Sequence, residues 1–398
     1  MKALILSCGT GGGHNAAGRA IKEELERRGD PVLMLNPYDL AGKHTAKRID
    51  ETYIKTVQAA PRVFGAVYSA GNAYRNLPFR SPVYFANAAM TKKLQKLFEK
   101  ERPDVVFMPH IFPAEIITNM KNRGMAVPKT VFIATDYTCI PFTEETDCDA
   151  FVIPSNKLTA EFLRRGIPRD KLYPLGIPVS LAFSEPSTRE KAAEITGLDK
   201  DKRYILISGG SMGAGKLVLA IKLLYDRYKN DKKIGLVVIC GSNKWLYNRL
   251  AGRYPDKITA VRFTDKMASY MRMAEVFITK PGGLSATEGA VLGVPMVHIM
   301  SIPGCETLNM RFFAQHGMSV PVKRIGMGLP NAADRLLNKA EAEKITANQR
   351  KYMNPNAAAD ICRLAEKLIN GLPDGIKRLE KLFIGSVFII LKSFLIML

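Results

Sequence analysis

Short aliphatic runs alternate with amphipathic stretches along almost the whole chain. Segments 3–6, 31–35, 105–108, 130–134, 151–153, 204–207, 234–240, 276–279 and 296–299 are strand-like runs of aliphatic and β-branched residues. Between them apolar positions recur at helical spacing, as at Ala17, Ile21 and Leu25, with Gly29 as a stop. This alternation predicts an α/β fold in which parallel sheets are covered by helices on both faces. A polar turn flanked by Pro178 and Pro186 marks a hinge and divides the chain into two α/β halves, 1–178 and 179–370.

Three strand-to-helix loops carry candidate chemistry. The first, "SCGTGGGHNAAGRAI", sets Gly9, Gly11, Gly12 and Gly13 in front of His14. Bare backbone at a helix start offers N–H groups and a positive dipole end to an anionic or hydroxyl-rich ligand, which makes Gly12 and Gly13 candidate ligand contacts. A dinucleotide fingerprint is disfavoured, because His14 stands where its third glycine belongs and Asn36 replaces the acid after the second strand. His14 either accepts a proton from a substrate hydroxyl or merely caps the helix. The second loop, "ISGGSMGAGKL", nearly spells a P-loop, but Leu217 stands where a Ser or Thr should hold magnesium. What remains is a phosphate-cradling turn of Gly209, Gly210, Ser211 and Met212, or simply a tight turn.

The third loop, "VFITKPGGLSATEGAVLGVPMVHI", runs from a strand through Lys280–Gly283 into a helix that Ser285 can cap and Gly293 can end. Glu288, placed in the first turn, can accept two hydrogen bonds from a diol such as a ribose, or only complement the helix dipole. His110 in "MPHIFP" and Asp136 in "ATDYTCIPF" follow strand ends, where open α/β sheets place their ligands. Asp136 either orients His14 or acts as a cap.

Taken in order, GGGH, GGSMGA, "FTDKMASYMRMAEVFITKPGGLSATEGAVLGVPMV" and "PGCETLNMRFF" resemble the two-domain glycosyltransferases that make monogalactosyl- or glucosyl-diacylglycerol, over residues 1–370. They are more distantly similar to the transferase that adds N-acetylglucosamine to the lipid-linked peptidoglycan precursor. The resemblance implies a GT-B fold, two Rossmann-like parallel-sheet domains facing a cleft, the first receiving a lipid and the second gripping a UDP-sugar. It implies that Phe263 and Thr264 cover the uracil, that Glu288 holds the ribose, and that Gly210, Ser211 and Met212 face the diphosphate. Gly282, Gly283, Leu284 and Ser285 match the loop that closes on phosphates and sugar, and His14 matches the proposed general base. Where relatives read PGQEEGN, Glu306 and Asn309 are kept but Cys305 replaces the glutamine.

The implied reaction is an inverting transfer of glucose or galactose from UDP to diacylglycerol or a glycosyl-diacylglycerol. The alternative is transfer of N-acetylglucosamine from its UDP-sugar to a polyprenyl-diphosphate-linked sugar. No metal or other cofactor is expected, and the leaving-group charge falls to helix dipoles, backbone N–H groups and Lys280.

Composition narrows the setting. The 398 residues, 47% hydrophobic and 24% charged, suffice for two well-packed domains. A net charge of +21 suits nucleic acid, an anionic membrane or phosphate-bearing substrates. Without a helix-turn-helix, zinc or RNP pattern, nucleic acid is not expected as a partner. The six cysteines form no CxxC pair, which points to neither zinc nor a disulfide framework and suits a reducing cytosol. "MKALILS" is too short for a secretory segment and reads as a first strand. Residues 60–93 interleave Phe64, Tyr68, Tyr74, Phe79, Tyr84 and Phe85 with Arg62, Arg75 and Arg80, a mixture suited to a headgroup layer or to a helix pair with an exposed turn. The tail 371–398 is basic at Lys377, Arg378 and Lys381, then apolar from Leu382 to Leu398 apart from Lys392, as in a membrane-interface helix. The expected location is peripheral, on the cytoplasmic face of the cell membrane and in contact with anionic lipids.

Overall fold

The computed structural model describes residues 1–9, 12–42, 61–77, 79–209, 215–254, 256–299 and 301–371. Gly11, Gly210, Ser211, Met212 and the tail from 372 onward lie outside the described residues, as do the side chains of Arg62 and Phe64.

Among the described residues two parallel sheets of six strands form. The first, ordered β2-β1-β3-β4-β5-β6, contains β1 (Ala3–Leu6), β2 (Val32–Leu35), β3 (Val105–Met108), β4 (Lys129–Ile133), β5 (Ala150–Val152) and β6 (Leu172–Tyr173). The second, ordered β12-β11-β10-β7-β8-β9, contains β7 (Arg203–Ser208), β8 (Ile234–Gly241), β9 (Ile258–Arg262), β10 (Ala274–Thr279), β11 (Met296–Ile299) and β12 (Val320–Val322). The nine expected strands are all present, shifted by a residue or two at several ends. The three unexpected ones, β6, β9 and β12, lie at sheet edges. Edge strands are covered less and need less apolar sequence: β6 has two residues, β9 mixes Thr259 and Arg262 with its aliphatics, and β12 contains Pro321.

Strand order reverses once in each sheet, between β1 and β3 and between β7 and β10. At such points the following connections leave in opposite directions and open a crevice beyond the carboxyl ends of the strands. The loops after β1, β3 and β10 are therefore, among the described residues, ones that topology directs to the two crevices, and they carry Gly12–His14, His110 and Lys280–Gly283.

The halves are joined by more than a hinge. One buried apolar cluster runs from Leu6, Met108 and Phe132 through Tyr137 to Leu284, Phe312 and Phe313. The helix Ala357–Ile369 returns to the first sheet, packing Ile361, Cys362, Ala365 and Leu368 with Ile5, Ile21, Leu25 and Phe107. The packed amino-terminal unit thus includes a segment that a boundary at 178/179 assigns to the second half. Its apolar stripe has helical period wherever it docks, so sequence alone does not name the sheet that it covers. Among the described residues no helix is long and apolar enough to cross a membrane.

Segment 60–93 forms the helices Pro61–Tyr74 and Pro82–Asn87. Leu77, Phe79 and Phe85 are exposed. Arg75 faces inward: its guanidinium donates to Glu144 at 2.7 and 2.6 Å and to the Cys139 carbonyl at 3.0 Å, and its side chain is 2% exposed. It ties the helix to the domain and is not a headgroup contact.

Candidate active site

His14 is the third residue of the helix Gly12–Arg27, in its first turn, at the carboxyl edge of the first sheet. Its Nδ1 is 2.8 Å from the Pro109 carbonyl oxygen and 2.9 Å from Thr135 Oγ1. A carbonyl oxygen only accepts, so Nδ1 carries the proton and Nε2 keeps the lone pair. Burial lowers the pKa of the imidazole, while Asp136 and the Pro109 carbonyl act in the opposite direction. The ring is thereby held neutral, in one tautomer, with the basic nitrogen turned away from its anchor. The capping alternative fails for His14 and holds for His110. His110 is the N-cap of the helix Ile111–Asn122, and its Nδ1 accepts from the Phe112 N–H at 3.1 Å. The two rings meet edge to face with centroids 4.5 Å apart, and burial followed by the neighbouring His14 pushes His110 well below the usual histidine range.

Two cavities meet at His14. One, of about 240 Å³, lies mostly within the amino-terminal half and has walls that include Val83, Phe112, Phe132, Ile140 and Phe142. The other, of about 310 Å³, lies between the halves, with Gly12, Gly13, Lys280, Gly282, Ser285 and Glu306 in its wall. His14, Thr135, Asp136 and Cys305 border both. The first is lined mainly by apolar and aromatic side chains; the second by glycines and by polar and charged residues.

Glycine shapes the second cavity by absence. A side chain at Gly12 or Gly282 would meet nothing within 4 Å, so backbone faces open space there. At Gly283 a Cβ would fall 1.9 Å from the Thr135 carbonyl oxygen, so only glycine lets the start of the helix Gly283–Val291 abut the opposite domain. That helix has Gly282 as its N-cap, with no side-chain cap. Ser285 is its third residue and lines the cavity from the first turn; it is not the cap. Glu288 is its sixth residue, in the second turn and not the first.

The remaining predicted residues separate into those at the cavities and those away from them. Lys280 pairs with Glu306 at 3.1 Å, and Glu306 also accepts from the Ile302 N–H at 2.8 Å, so an internal carboxylate partly neutralises this cation. Asn309 is fully buried and bridges the domains: Oδ1 accepts from the Tyr137 N–H at 2.7 Å, and Nδ2 donates to Asp136 at 2.8 Å and to the Pro281 carbonyl at 3.1 Å. Its hydrogen bonds in this arrangement all go to protein. Asp136 consequently faces His14 through space while its hydrogen bond goes to Asn309. Glu288 lies outside the wall of the polar cavity; burial pushes its carboxyl up to about 8, and Arg19 of the opposite domain pulls the other way. Phe263 is 81% exposed in the turn after β9, and Thr264 Oγ1 accepts from the Lys266 N–H at 3.0 Å. Neither borders the cavity. Gly210, Ser211 and Met212 lie outside the described residues.

Sequence reasoning missed Thr135 and Pro109, the two contacts that fix the His14 ring. Each directly precedes a residue that was singled out, Asp136 or His110, but a backbone carbonyl has no residue-type signature. It also missed Tyr137, whose hydroxyl meets Thr287 Oγ1 at 2.7 Å across the domain boundary and whose ring packs on Phe312 and Phe313 at 4.7 and 4.9 Å. An aromatic next to a loop aspartate gives little sign that it is an interdomain plug.

Residues 14–179 match the monogalactosyldiacylglycerol (MGDG) synthase family, and residues 204–364 match the glycosyltransferase family 28 C-terminal domain. The chain is 25% identical over 376 residues to the processive diacylglycerol beta-glucosyltransferase of Bacillus licheniformis, covering 92% of this chain and 96% of that protein. It is 24% identical over 328 residues to the protein of the same description from Bacillus subtilis strain 168, covering 81% and 84%. Among solved structures it is similar to Acinetobacter baumannii MurG, with a TM-score of 0.59, 17% identity and coverage of 92% and 99%. It is also similar to an S. aureus MnaA structure with UDP, with a TM-score of 0.60, 12% identity and coverage of 93% and 97%. The two family matches stand in the expected order, each centred on one of the facing sheets, and the chain is a glycosyltransferase with the GT-B fold that is similar to the monogalactosyldiacylglycerol synthase family.

Proposed function

We propose that the protein transfers glucose or galactose from a UDP-sugar to diacylglycerol or a glycosyl-diacylglycerol, with inversion, at the cytoplasmic face of a membrane. The observation that carries this reading is the placement of His14 between an apolar and a polar cavity, with Nδ1 committed to the Pro109 carbonyl. An acceptor hydroxyl presented from the apolar side gives its proton to Nε2 as its oxygen attacks the anomeric carbon. The bond from that carbon to the diphosphate breaks, and its electron pair leaves with UDP. Lys280 and the N–H groups at the start of the helix Gly283–Val291 face the departing charge. Glu288, Phe263 and Thr264 are the proposed nucleoside contacts, and Gly210, Ser211 and Met212 the proposed diphosphate contacts. The proposed displacement uses no metal.

The apolar cavity favours an uncharged acceptor. Its described lining includes Glu115 and Asp136 but no Lys or Arg, whereas a polyprenyl diphosphate would call for cations. Exposed Leu77, Phe79 and Phe85 flank the lining residue Val83 and suit insertion among lipid headgroups, and a net charge of +21 draws the protein to an anionic leaflet. The names of the relatives support the same acceptor. The test uses purified protein, vesicles of diacylglycerol in anionic phospholipid, UDP-glucose and UDP-galactose in turn, and EDTA in a parallel set. A β-linked hexosyl-diacylglycerol formed at an unchanged rate in EDTA is the expected product. An α-linked product would remove the inverting mechanism, and no product with either sugar would remove the acceptor assignment.

A further inference from the structure

The wall of the apolar cavity includes a buried carboxyl that the proposed displacement does not use. Glu115, on the helix Ile111–Asn122 behind His110, lines the cavity and is fully buried. Its Oε2 accepts from Asn87 Nδ2, and Asn87 in turn accepts from the Tyr38 hydroxyl. Its Oε1 is buried with no hydrogen-bond partner. Buried polar atoms are nearly always satisfied, and an unsatisfied one in a cavity wall suggests a ligand atom.

We propose that the Glu115 carboxyl donates a hydrogen bond to an ester carbonyl of the acylglycerol acceptor. This rests on the acceptor class proposed above. If the free hydroxyl of a diacylglycerol lies at His14 Nε2, the polar atoms that enter the cavity beyond it are the ester oxygens. An ester only accepts, so its complement must donate, and an ionised carboxylate could not. Burial raises the Glu115 pKa to about 8, Asn87 opposes this, and Glu145 adds to it, so the group is largely protonated at neutral pH and carries a donor. With Asn87 holding Oε2, the proton belongs on Oε1, the atom that lacks a partner. A neutral acid also fits the apolar wall better than a lysine would, since no counter-ion is needed.

The experiment compares an ester-linked diacylglycerol with the ether-linked dialkylglycerol of the same chains, which lacks only the carbonyl oxygens, in identical vesicles. For the native protein kcat/KM should favour the ester by roughly five- to tenfold, the range of one well-placed hydrogen bond. Glu115→Gln keeps an acceptor for Asn87 and a donor toward the cavity, and should keep the preference. Glu115→Met should treat the two lipids alike. The ratio of the two rates cancels any general loss of folded or active protein. Were Glu115→Met not to fold, pH would supply the second measurement. Glu145, Asp136, His14 and His110 face this site in both the native protein and Glu115→Gln, so only the difference between those two reports on Glu115. Raising the pH through about 8 should erase the native preference and spare that of Glu115→Gln. Equal rates on ester and ether lipids for the native protein, or a preference that survives in Glu115→Met, would overturn the assignment alone. Glycosylation of neither lipid would overturn the acceptor class and the assignment with it.

Discussion

The two cavities that meet at His14 are built in opposite ways. The proposed acceptor side is a side-chain cavity: Phe112, Phe132, Ile140 and Phe142 line it together with polar groups such as Glu115 and Asp136. The proposed donor side is a cavity at an interdomain seam, bordered by Gly12, Gly13, Gly282 and Gly283 and by the Lys280–Glu306 pair. Apolar shape tolerates chain-length variation and discriminates weakly, by about 1–3 kcal/mol per methylene-sized change. Directed N–H groups and a dipole recognise one chemistry, a phosphate, wherever it comes from. The difference teaches that, on the proposed reading, donor recognition resides in loops short enough to be motifs, while acceptor recognition is distributed over elements that share no motif.

The strongest way to break this division is to remove the group that joins the two sides. His14→Ala should lower kcat by roughly 10²- to 10⁴-fold, the usual contribution of a positioned general base, and leave UDP affinity nearly unchanged. Turnover in vesicles and calorimetric UDP binding would measure both. Near-native turnover would exclude His14 as the base and return the search to the other residues of the shared wall. Loss of UDP binding would show that the cavities are not separable at this residue.

A smaller effect is expected on the donor side alone. Glu288→Ala should weaken UDP binding by about 1–3 kcal/mol, because hydroxyl donors lose their acceptor. The carboxyl has a pKa of about 8, raised by burial, so at neutral pH it is largely protonated in the free protein. Accepting two hydroxyl donors favours the carboxylate, so UDP binding should release a proton, and affinity should rise with pH up to about 8 and then level off. Calorimetry in buffers of different ionisation enthalpy would detect that proton, which should be absent in Glu288→Ala. Unchanged affinity together with unchanged proton release would remove Glu288 from the nucleoside site.

How much of this was legible in the sequence follows the same division. The glycine loops, His14 and the strand-to-helix order could be read directly, because a phosphate-binding turn needs particular residue types at consecutive positions. The switch points that bring those loops together depend on the strand order, which the structure supplies. The cross-domain contacts could not be read: Asn309 meets Tyr137 at a separation of 172 residues, and no local pattern encodes that meeting. Nor could the return of Ala357–Ile369 to the first sheet, since an amphipathic stripe specifies burial and not a partner. Ser285 and His110 show a local rule giving the wrong assignment. Serine suggested a cap that backbone at Gly282 replaces, while the histidine that does cap is His110, beside the proposed base.

The finest test of the comparison concerns the wall that both cavities share. Asp136 borders each of them, and its charge raises the pKa of His14 against the larger lowering by burial. The base works only when neutral, so kcat/KM should fall on the acid side as pH drops through the His14 pKa, which lies below 6.5. Asp136→Asn removes the charge while keeping an oxygen for the Asn309 Nδ2 donor, so the domain bridge can persist. The charge no longer stabilises the imidazolium, the His14 pKa falls further, and the acid limb should move to lower pH. At neutral pH, where His14 is already deprotonated in both proteins, the rate should change little. A full pH–rate profile on one acceptor lipid would decide it. If the limb stays in place while the neutral rate collapses, Asp136 acts on substrate directly and the shared wall belongs to the donor side. If the limb moves to higher pH, the charge at 136 does not face the base.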